Sequence, residues 1–417
     1  PSASPTPRMF RASLDASLTR RVREGKIRVG CKLFCVGAEL RGAPEAVSPF
    51  SEEAENAVLC LRVNGTRLAP WDAKLGRVRR TLTVPLRCVE PDGGIVPRLL
   101  VHVRRVYPIA YLERNEDDST TRRSERAEAR AHEAWCRARE DAARDFSENQ
   151  PEGVVTWGGH GDVERHLREA LEAKGLHERR VSKLFKLNIV GFAPTASHPA
   201  YKGPYARGAT SAVLTVFGAD DALIEAVKPG QTYAVTALRP WTNGATPERE
   251  MCLTATKYTN WTPISPADAR ASGLELSEPM WRCASVDASV DLRDLSRTGF
   301  PRKEFDAVVC AVHRGPVTTT NGSRRSQWIF CVDVAACGAR DGRTHLLAVE
   351  VAGGESLEDA EHWVPGGAAD GFGATNASCG PPMFLQNLEF ARYDAENDVY
   401  CATVNVEDVV AVPLSGD

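Results

Sequence analysis

Short apolar runs rich in β-branched and aromatic residues dominate the hydrophobic pattern of this chain. Glycine, proline, asparagine and aspartate separate them, and the pattern predicts strands. The runs include "KLFCVGAEL", "NAVLCLRV", "RLLVHVRRVYPIAYLER", "LFKLNIVGF", "SAVLTVFG", "TYAVTALRPW" and "EMCLTATKYTNW". Towards the end come "EFDAVVCAVHRG", "SQWIFCVDVAA", "HLLAVEVAG", a glycine-rich loop and "FLQNLEFARYDAENDVYCATVNVEDVVAV". Pro108 marks a bend or an edge, because proline donates nothing to a ladder. Asn64-Gly65 closes its run with a turn signal.

One stretch breaks the pattern. "TRRSERAEARAHEAWCRAREDAARDF" (121–146) is charge and alanine with a narrow apolar seam of Ala131, Trp135, Ala138, Ala142 and Phe146. Such a seam suits pairing with one other helix better than lying on a broad core. Residues 162–175 supply a second helix, with Asp162 as N-cap, Gly175 as stop and Val163, Leu167, Ala170 and Leu171 as its seam. A breaker-rich loop joins the two. The expectation is an antiparallel arm of about 37 Å, from roughly 25 residues at ~1.5 Å each. It stands in solvent, has no bundle at its tip and does not bind duplex DNA. The competing reading packs both helices flat on a barrel.

The strand-rich parts repeat a plan. "SLTRRVREGKIRVGCKLFCVGAEL" and "ALIEAVKPGQTYAVTALRP" both run amphipathic helix, glycine, strand. "LFKLNIVGF" and "EFDAVVCAVHRG" resemble each other as opening strands. Units of about 100 residues with around five strands and one short helix fit tandem OB folds. The fold class expected is mainly β: three tandem OB-fold barrels with a helical hairpin inserted near the start of the second. Residues 1–115 form the first barrel, with a disordered Ser/Pro-rich lead-in at 1–8. Residues 116–180 form the arm, 181–282 the second barrel with a linker at 264–279, and 283–417 the third.

Composition adds mostly exclusions. Lys and Arg number 52 against 55 Asp and Glu, for a net charge of −3, so bulk charge does not coat nucleic acid, though a local basic groove remains open. No apolar run is long enough to cross a membrane as a helix, no signal peptide is visible, and no membrane partner is expected. The chain starts at Pro1 and is expected to be part of a longer protein. The twelve cysteines form no C-x-x-C pair, and Cys60, Cys310 and Cys331 sit in apolar runs, so they read as small buried hydrophobes in a reducing compartment. The sequons at Asn64, Asn260, Asn321 and Asn376 are treated as chance. No phosphate loop, dinucleotide fingerprint, nucleophile elbow or zincin motif occurs, and His160 and His166 lack ligand spacing. No catalytic constellation, cofactor or metal is expected.

What remains is cations interleaved with aromatics on predicted strands. In the second barrel these are Lys186, Arg239, Trp241, Lys257, Tyr258 and Trp261; in the third, His313, Arg314, Arg324, Arg325, Trp328, Phe330, Arg343, Arg392 and Tyr393. Single-stranded nucleic acid is held this way: bases stack on aromatic faces while cations follow phosphates. Each has a plainer reading. Trp328 and Phe330 share a strand face with Val332 and Val334 and could be core; Arg324 and Arg325 are a phosphate clamp or ordinary surface.

Three motifs, "VGAELRG", "RLAPWDAKLG" and "VYPIAYLER", make the chain resemble the C-terminal DNA-binding region of the breast cancer type 2 susceptibility family. Later stretches continue in the same order, from "LFKLNIVGF" to "LQNLEFARYDAENDVYCATVNVEDVVAV". The resemblance implies three OB folds and a tower in the second, with single-stranded DNA bound by the second and third. It implies a nuclear mediator that brings a RecA-like recombinase, held through regions outside this chain, to single-stranded DNA. It also implies a small acidic partner, the split-hand/foot-deletion protein, for which this chain carries part of a site. The family's recombinase-binding repeats, its helical domain and the opening strand of its first barrel are not found here. With that domain gone, the first barrel is expected to be structural or partner-binding, with exposed apolar surface.

Overall fold

A computed structural model describes residues 11–42, 56–77, 81–115, 117–148, 160–194, 210–243, 251–265, 267–268, 274–276, 292–295, 304–320, 324–333, 345–363 and 382–414. The chain forms two compact units. The first comprises Pro1–Val106, Lys186–Phe217 and Asp221–Cys283; the second comprises Tyr107–Phe185, Gly218–Asp220 and Ala284–Asp417.

The first unit opens with β1 (Arg11–Leu14), α1 (Ala16–Arg23), β2 (Leu33–Cys35), β3 (Glu39–Arg41), β4 (Val58–Leu61) and β5 (Thr66–Leu68). β1 is parallel to β4 and β3 antiparallel to it, while β2 and β5 pair further along the same hairpin. Parallel neighbours need a crossover, and α1 provides it. One carboxylate oxygen of Asp15 caps α1 by accepting from Leu18 N at 2.8 Å; the other accepts from Val63 N at 2.6 Å. Gly25 ends the region at φ 69, so the helix–glycine–strand order read from the sequence holds. Asn64 is not a turn tip. It is fully buried, its amide donates to Glu90 O and Gly94 O at 2.8 Å each, and its side-chain oxygen accepts from Glu90 N at 2.9 Å. A side chain so enclosed is no glycan acceptor in the folded chain.

Next come β6 (Val96–Val106), β7 (Ala110–Arg114), β8 (Thr120–Arg123), α2 (Glu125–Glu148), α3 (His160–Ala173), β9 (Val181–Pro194), β10 (Ser211–Phe217), α4 (Asp221–Ala226), β11 (Thr232–Thr242), β12 (Met251–Ala255), β13 (Trp261–Pro263) and β14 (Leu274–Leu276). The predicted run through Pro108 is thus two strands, broken around that proline. In the first unit β6 pairs with β9, β9 with β10, β10 with β12, β12 with β11, and β11 with β6. Counted along the chain, the neighbours run one, two, three, five, four and back to one, with strands three and five parallel. This is the closed Greek-key barrel of an OB fold. Leu99, Val101, Leu187, Ile189, Leu214, Val235, Leu238 and Leu253 fill it. α4 stands between strands three and four, followed by Gly230 at φ 81, repeating the plan of α1 and Gly25.

The boundary at residue 115 assigns β6 to the first barrel, but β6 is strand one of the second. The arm between strands one and two separates it from its partners in sequence, which is why contiguity misleads. Residues 274–276, expected as linker, pair with β9 as β14. In β11, Ala237 takes φ 55 where the strand passes from β13 to β12, and Thr256 and Thr259 hydroxyls donate to its carbonyl at 2.9 and 3.1 Å. A side chain in the left-handed region is costly, and the two hydroxyls hold it at the barrel's corner.

In the second unit β15 (Glu304–Thr320), β16 (Arg324–Asp333), β17 (Leu346–Gly353), β18 (Met383–Asp394), β19 (Val399–Asn405) and β20 (Val410–Pro413) repeat the topology. β15 pairs with β16, β16 with β17, β17 in parallel with β19, β19 with β18 and β18 with β15; β20 adds to β18. Between strands three and four lies a 3-10 helix, Glu355–Trp363, where the sequence predicts only a glycine-rich loop. Its buried apolar residues are Leu357, Ala360 and Trp363, spaced by three, the face a 3-10 helix stacks. A search at the α-helical period misses it.

The root of the arm belongs to the same unit. β7 pairs with β8 and with the first residues of β9. Arg179 Nε donates to Glu113 Oε1 at 2.6 Å and its Nη2 to Glu128 Oε2 at 2.8 Å, while Arg123 also bonds Glu113. The Arg179 and Arg123 hydrogen bonds hold the Glu113 carboxyl below the usual range. Arg122 reaches Asp408 at 2.6 Å, Arg130 reaches Asp359 at 2.7 Å, and Ser124 bonds Asp359. Beyond this root, α2 and α3 pack together; Ala142 and Leu171 are buried, and Lys174 and Asp145 pair at 2.9 Å. Trp135 Nε1 donates to His177 O at 3.1 Å, in the non-helical return after Gly175. α2 spans 24 residues, about 36 Å at ~1.5 Å each.

Candidate nucleic-acid interface

OB folds take ligands on the face of strands two and three and in the loops joining strands one to two and four to five. In the second barrel those strands are β9 and β10, and the four–five loop leaves the end of β11. Arg239 and Trp241 lie two apart on β11, both exposed, opposite Thr254 and Cys252 of β12. Trp241 Nε1 donates to Thr254 Oγ1 at 3.1 Å, which fixes the indole while leaving it 44% exposed. Lys186 is half-buried on β9. Lys257 and Tyr258 form the turn after β12, the ammonium 5.0 Å from the ring centroid, so this cation is partly engaged already. Trp261 follows its plainer reading in part: it is half-buried and packs edge-on against the buried Tyr233, centroids 5.8 Å apart.

Phe217, missed by sequence reasoning, ends β10 and is 56% exposed. Alternation gives the signal: Ala212, Leu214 and Val216 are buried, so Ser211, Val213, Thr215 and Phe217 share the outer face.

In the third barrel His313 and Arg314 lie on strand one and Trp328 and Phe330 on strand two. The core face of β16 is Ile329 and Cys331; Trp328 and Phe330 are half-buried on the opposite face. His313 is cross-strand to Phe330, ring centroids 5.8 Å apart, and Trp328 is opposite Glu350. Arg325 is half-buried beside the one–two loop; the backbone of Arg324 opens β16, and Arg343 lies outside the described residues. Arg392 and Tyr393 are exposed before the four–five turn. Tyr393 packs against Tyr400, rings tilted and centroids 4.8 Å apart, and donates to Asp398 Oδ1 at 2.6 Å, a hydrogen bond that raises its phenol above the ordinary range. That turn carries three carboxylates, Asp394, Glu396 and Asp398, which oppose a phosphate.

Cys60, Cys252, Cys331 and Cys401 are buried, and burial pushes the Cys331 thiol up to about 12, an unreactive group. Cys31 and Cys35, by contrast, are exposed.

Two closed five-stranded barrels, with the strand–helix–strand–strand part of a third among the described residues, define a tandem OB-fold protein. Residues 9–79 match the family model described as BRCA2, oligonucleotide/oligosaccharide-binding, domain 1. Two Arabidopsis thaliana proteins, BREAST CANCER SUSCEPTIBILITY 2 homologs A and B, are each 24% identical over 388 and 389 residues, covering 81% of this chain and 32% of theirs. The chain is thus similar to BRCA2 proteins, and it spans about a third of the length of these relatives. Among solved structures, a murine DNA-binding protein bound to double-stranded DNA matches at TM-score 0.24 and 9% identity, over 57% of this chain and 88% of that one. The single-stranded DNA-binding protein from Thermus aquaticus matches at 0.17 and 12%, over 56% and 84%.

Proposed function

We propose that this chain is the single-stranded DNA-binding region of a homologous-recombination mediator. It acts in the nucleus and helps deliver a RecA-like recombinase, held through other regions, to single-stranded DNA at double-strand breaks. It does no chemistry of its own, and a small acidic protein of the split-hand/foot-deletion kind meets part of it. The observation that carries the reading is the exposed Trp241 with Arg239, at the end of strand four where OB folds take ligands. Stacking on an indole beside a cation suits unpaired bases, which duplex DNA does not offer.

A second reading, an OB-fold scaffold for protein partners without direct DNA binding, has one specific observation in its favour: the carboxylates around Tyr393 and the Glu350 opposite Trp328. Titrating the chain with labelled oligo-dT and with duplex of equal length, over a range of salt, separates the two. The first reading expects single-strand preference that weakens with salt through counterion release. Equal duplex affinity, or no binding at low salt, contradicts it.

A further inference from the structure

Away from the second barrel's face, the first unit carries a groove of about 230 Å³ between the β2–β5 ribbon and the segment that follows β5. Its lining includes Lys32, Phe34, Lys74, Leu75 and Arg77. The fold of the segment is local: Ala69 N donates to Lys32 O at 2.9 Å, Ala73 N to Pro70 O at 3.1 Å, and Lys32 Nζ to Ala73 O at 2.5 Å. These bonds turn the segment back along the ribbon and lift Trp71 out. Trp71 is 88% exposed and Leu75 85%. A large ring left in water is costly in a folded domain unless something covers it.

The charges around it choose the occupant. Lys74 and Arg77 are exposed and form no ion pair among the described residues, and Asp72 is the one carboxylate between Ala69 and Arg79. An indole exposed to water, with cations three and six residues further along that form no ion pair among the described residues, matches a nucleotide: base on ring, phosphate on cation. We infer that the groove beside Trp71 is an additional stacking site for single-stranded nucleic acid, with Lys74 and Arg77 as phosphate contacts. The inference rests on the DNA-binding reading above and extends its footprint into the first OB region of the same compact unit.

The test uses the whole chain, Trp71→Ala and, separately, Lys74→Glu with Arg77→Glu. All three side chains are exposed, so thermal unfolding of both variants should match the parent. Affinity is measured for a short oligo-dT of about 10 nucleotides, within one barrel's site, and a long one of roughly 40. Both variants should lose about 5-fold or more on the long oligonucleotide, the lower end of what one stacked base contributes, and change little on the short one. The charge variant should also flatten the salt dependence. Unchanged long-oligonucleotide affinity overturns the site. So does unchanged affinity together with Trp71-dependent binding of a poly-glutamate peptide, which would assign the groove to an acidic protein. If the parent chain binds neither oligonucleotide, the failure belongs to the DNA-binding reading itself.

Discussion

The second and third barrels share one topology, closed in the same order with the same parallel pair, yet present opposite grooves. On the second, Arg239, Trp241 and Phe217 stand on outer faces in water. On the third, the strand-two aromatics are half-covered, Phe330 by His313 with Trp328 facing Glu350, while Arg392 and Tyr393, on strand four like Arg239 and Trp241, are exposed beside a turn carrying three carboxylates. Topology fixes where a strand of nucleic acid could lie, and side chains decide whether it gains by lying there. On the proposed reading, the second barrel is expected to be the stronger single-strand groove, with the third weakened by its own negative charge.

The comparison can be broken from its strong end. Trp241→Ala should cost about 1–3 kcal/mol of oligo-dT affinity, the worth of one stacked base, and leave the salt slope alone because stacking is not ionic. Arg239→Ala should cost less but flatten that slope by about one phosphate contact. Fluorescence anisotropy at several salt concentrations reads both. A normal Trp241→Ala protein would mean that the groove is elsewhere.

Trp328→Ala should weaken oligo-dT binding less than Trp241→Ala, by under about 1 kcal/mol, because part of its ring is already covered. Reversing Arg324 and Arg325 together should flatten the salt slope. A larger loss from Trp328→Ala in a protein that still melts normally would invert the ranking of the barrels.

A smaller gain is expected when the third barrel's charge is removed. Asp394→Asn with Glu396→Gln should tighten binding by roughly 2-fold at low salt and not at high salt, as screening removes long-range repulsion. Asp398 is left in place because it accepts the Tyr393 hydrogen bond. No gain at low salt would show that nucleic acid does not approach that turn.

The smallest effect belongs to the arm. Its root is tied to the third-barrel unit through Arg122, Ser124, Arg130 and the Glu113–Arg123–Glu128–Arg179 cluster, so an informative truncation must spare these residues. Removing residues 136–170 and joining the helix stumps with a Gly/Ser linker should leave oligo-dT affinity within about 2-fold, since the proposed stacking and phosphate contacts lie in the barrels. A large loss in a folded truncation would make the arm a direct DNA contact.

Much of the fold is legible in the sequence alone. Alternating apolar runs gave the strands, and the helix–glycine–strand repeat gave OB units, because both follow from local periodicity. The assignment of β6 was not legible, because its partners β9 and β11 lie beyond the arm and only the barrel's closure reunites them. The 3-10 helix was hidden by its period of three. Part of the candidate site was visible as residue types, but exposure was not. Trp241 and Trp261 look alike in sequence, and it is the neighbouring Tyr233 that draws Trp261 inward. Trp71 lies in "RLAPWDAKLG" of a barrel expected to be structural or partner-binding, and its exposure depends on how Lys32 and Ala73 fold that segment back.

Photocrosslinking tests the central claim most directly. A halogenated-pyrimidine oligonucleotide, bound to the whole chain and irradiated, is mapped by peptide mass spectrometry. The account predicts crosslinks concentrated on the peptides carrying Trp241 and Phe217, fewer on those carrying Trp328 and Tyr393, and none on α2. Crosslinks confined to the third barrel or to the arm would contradict it.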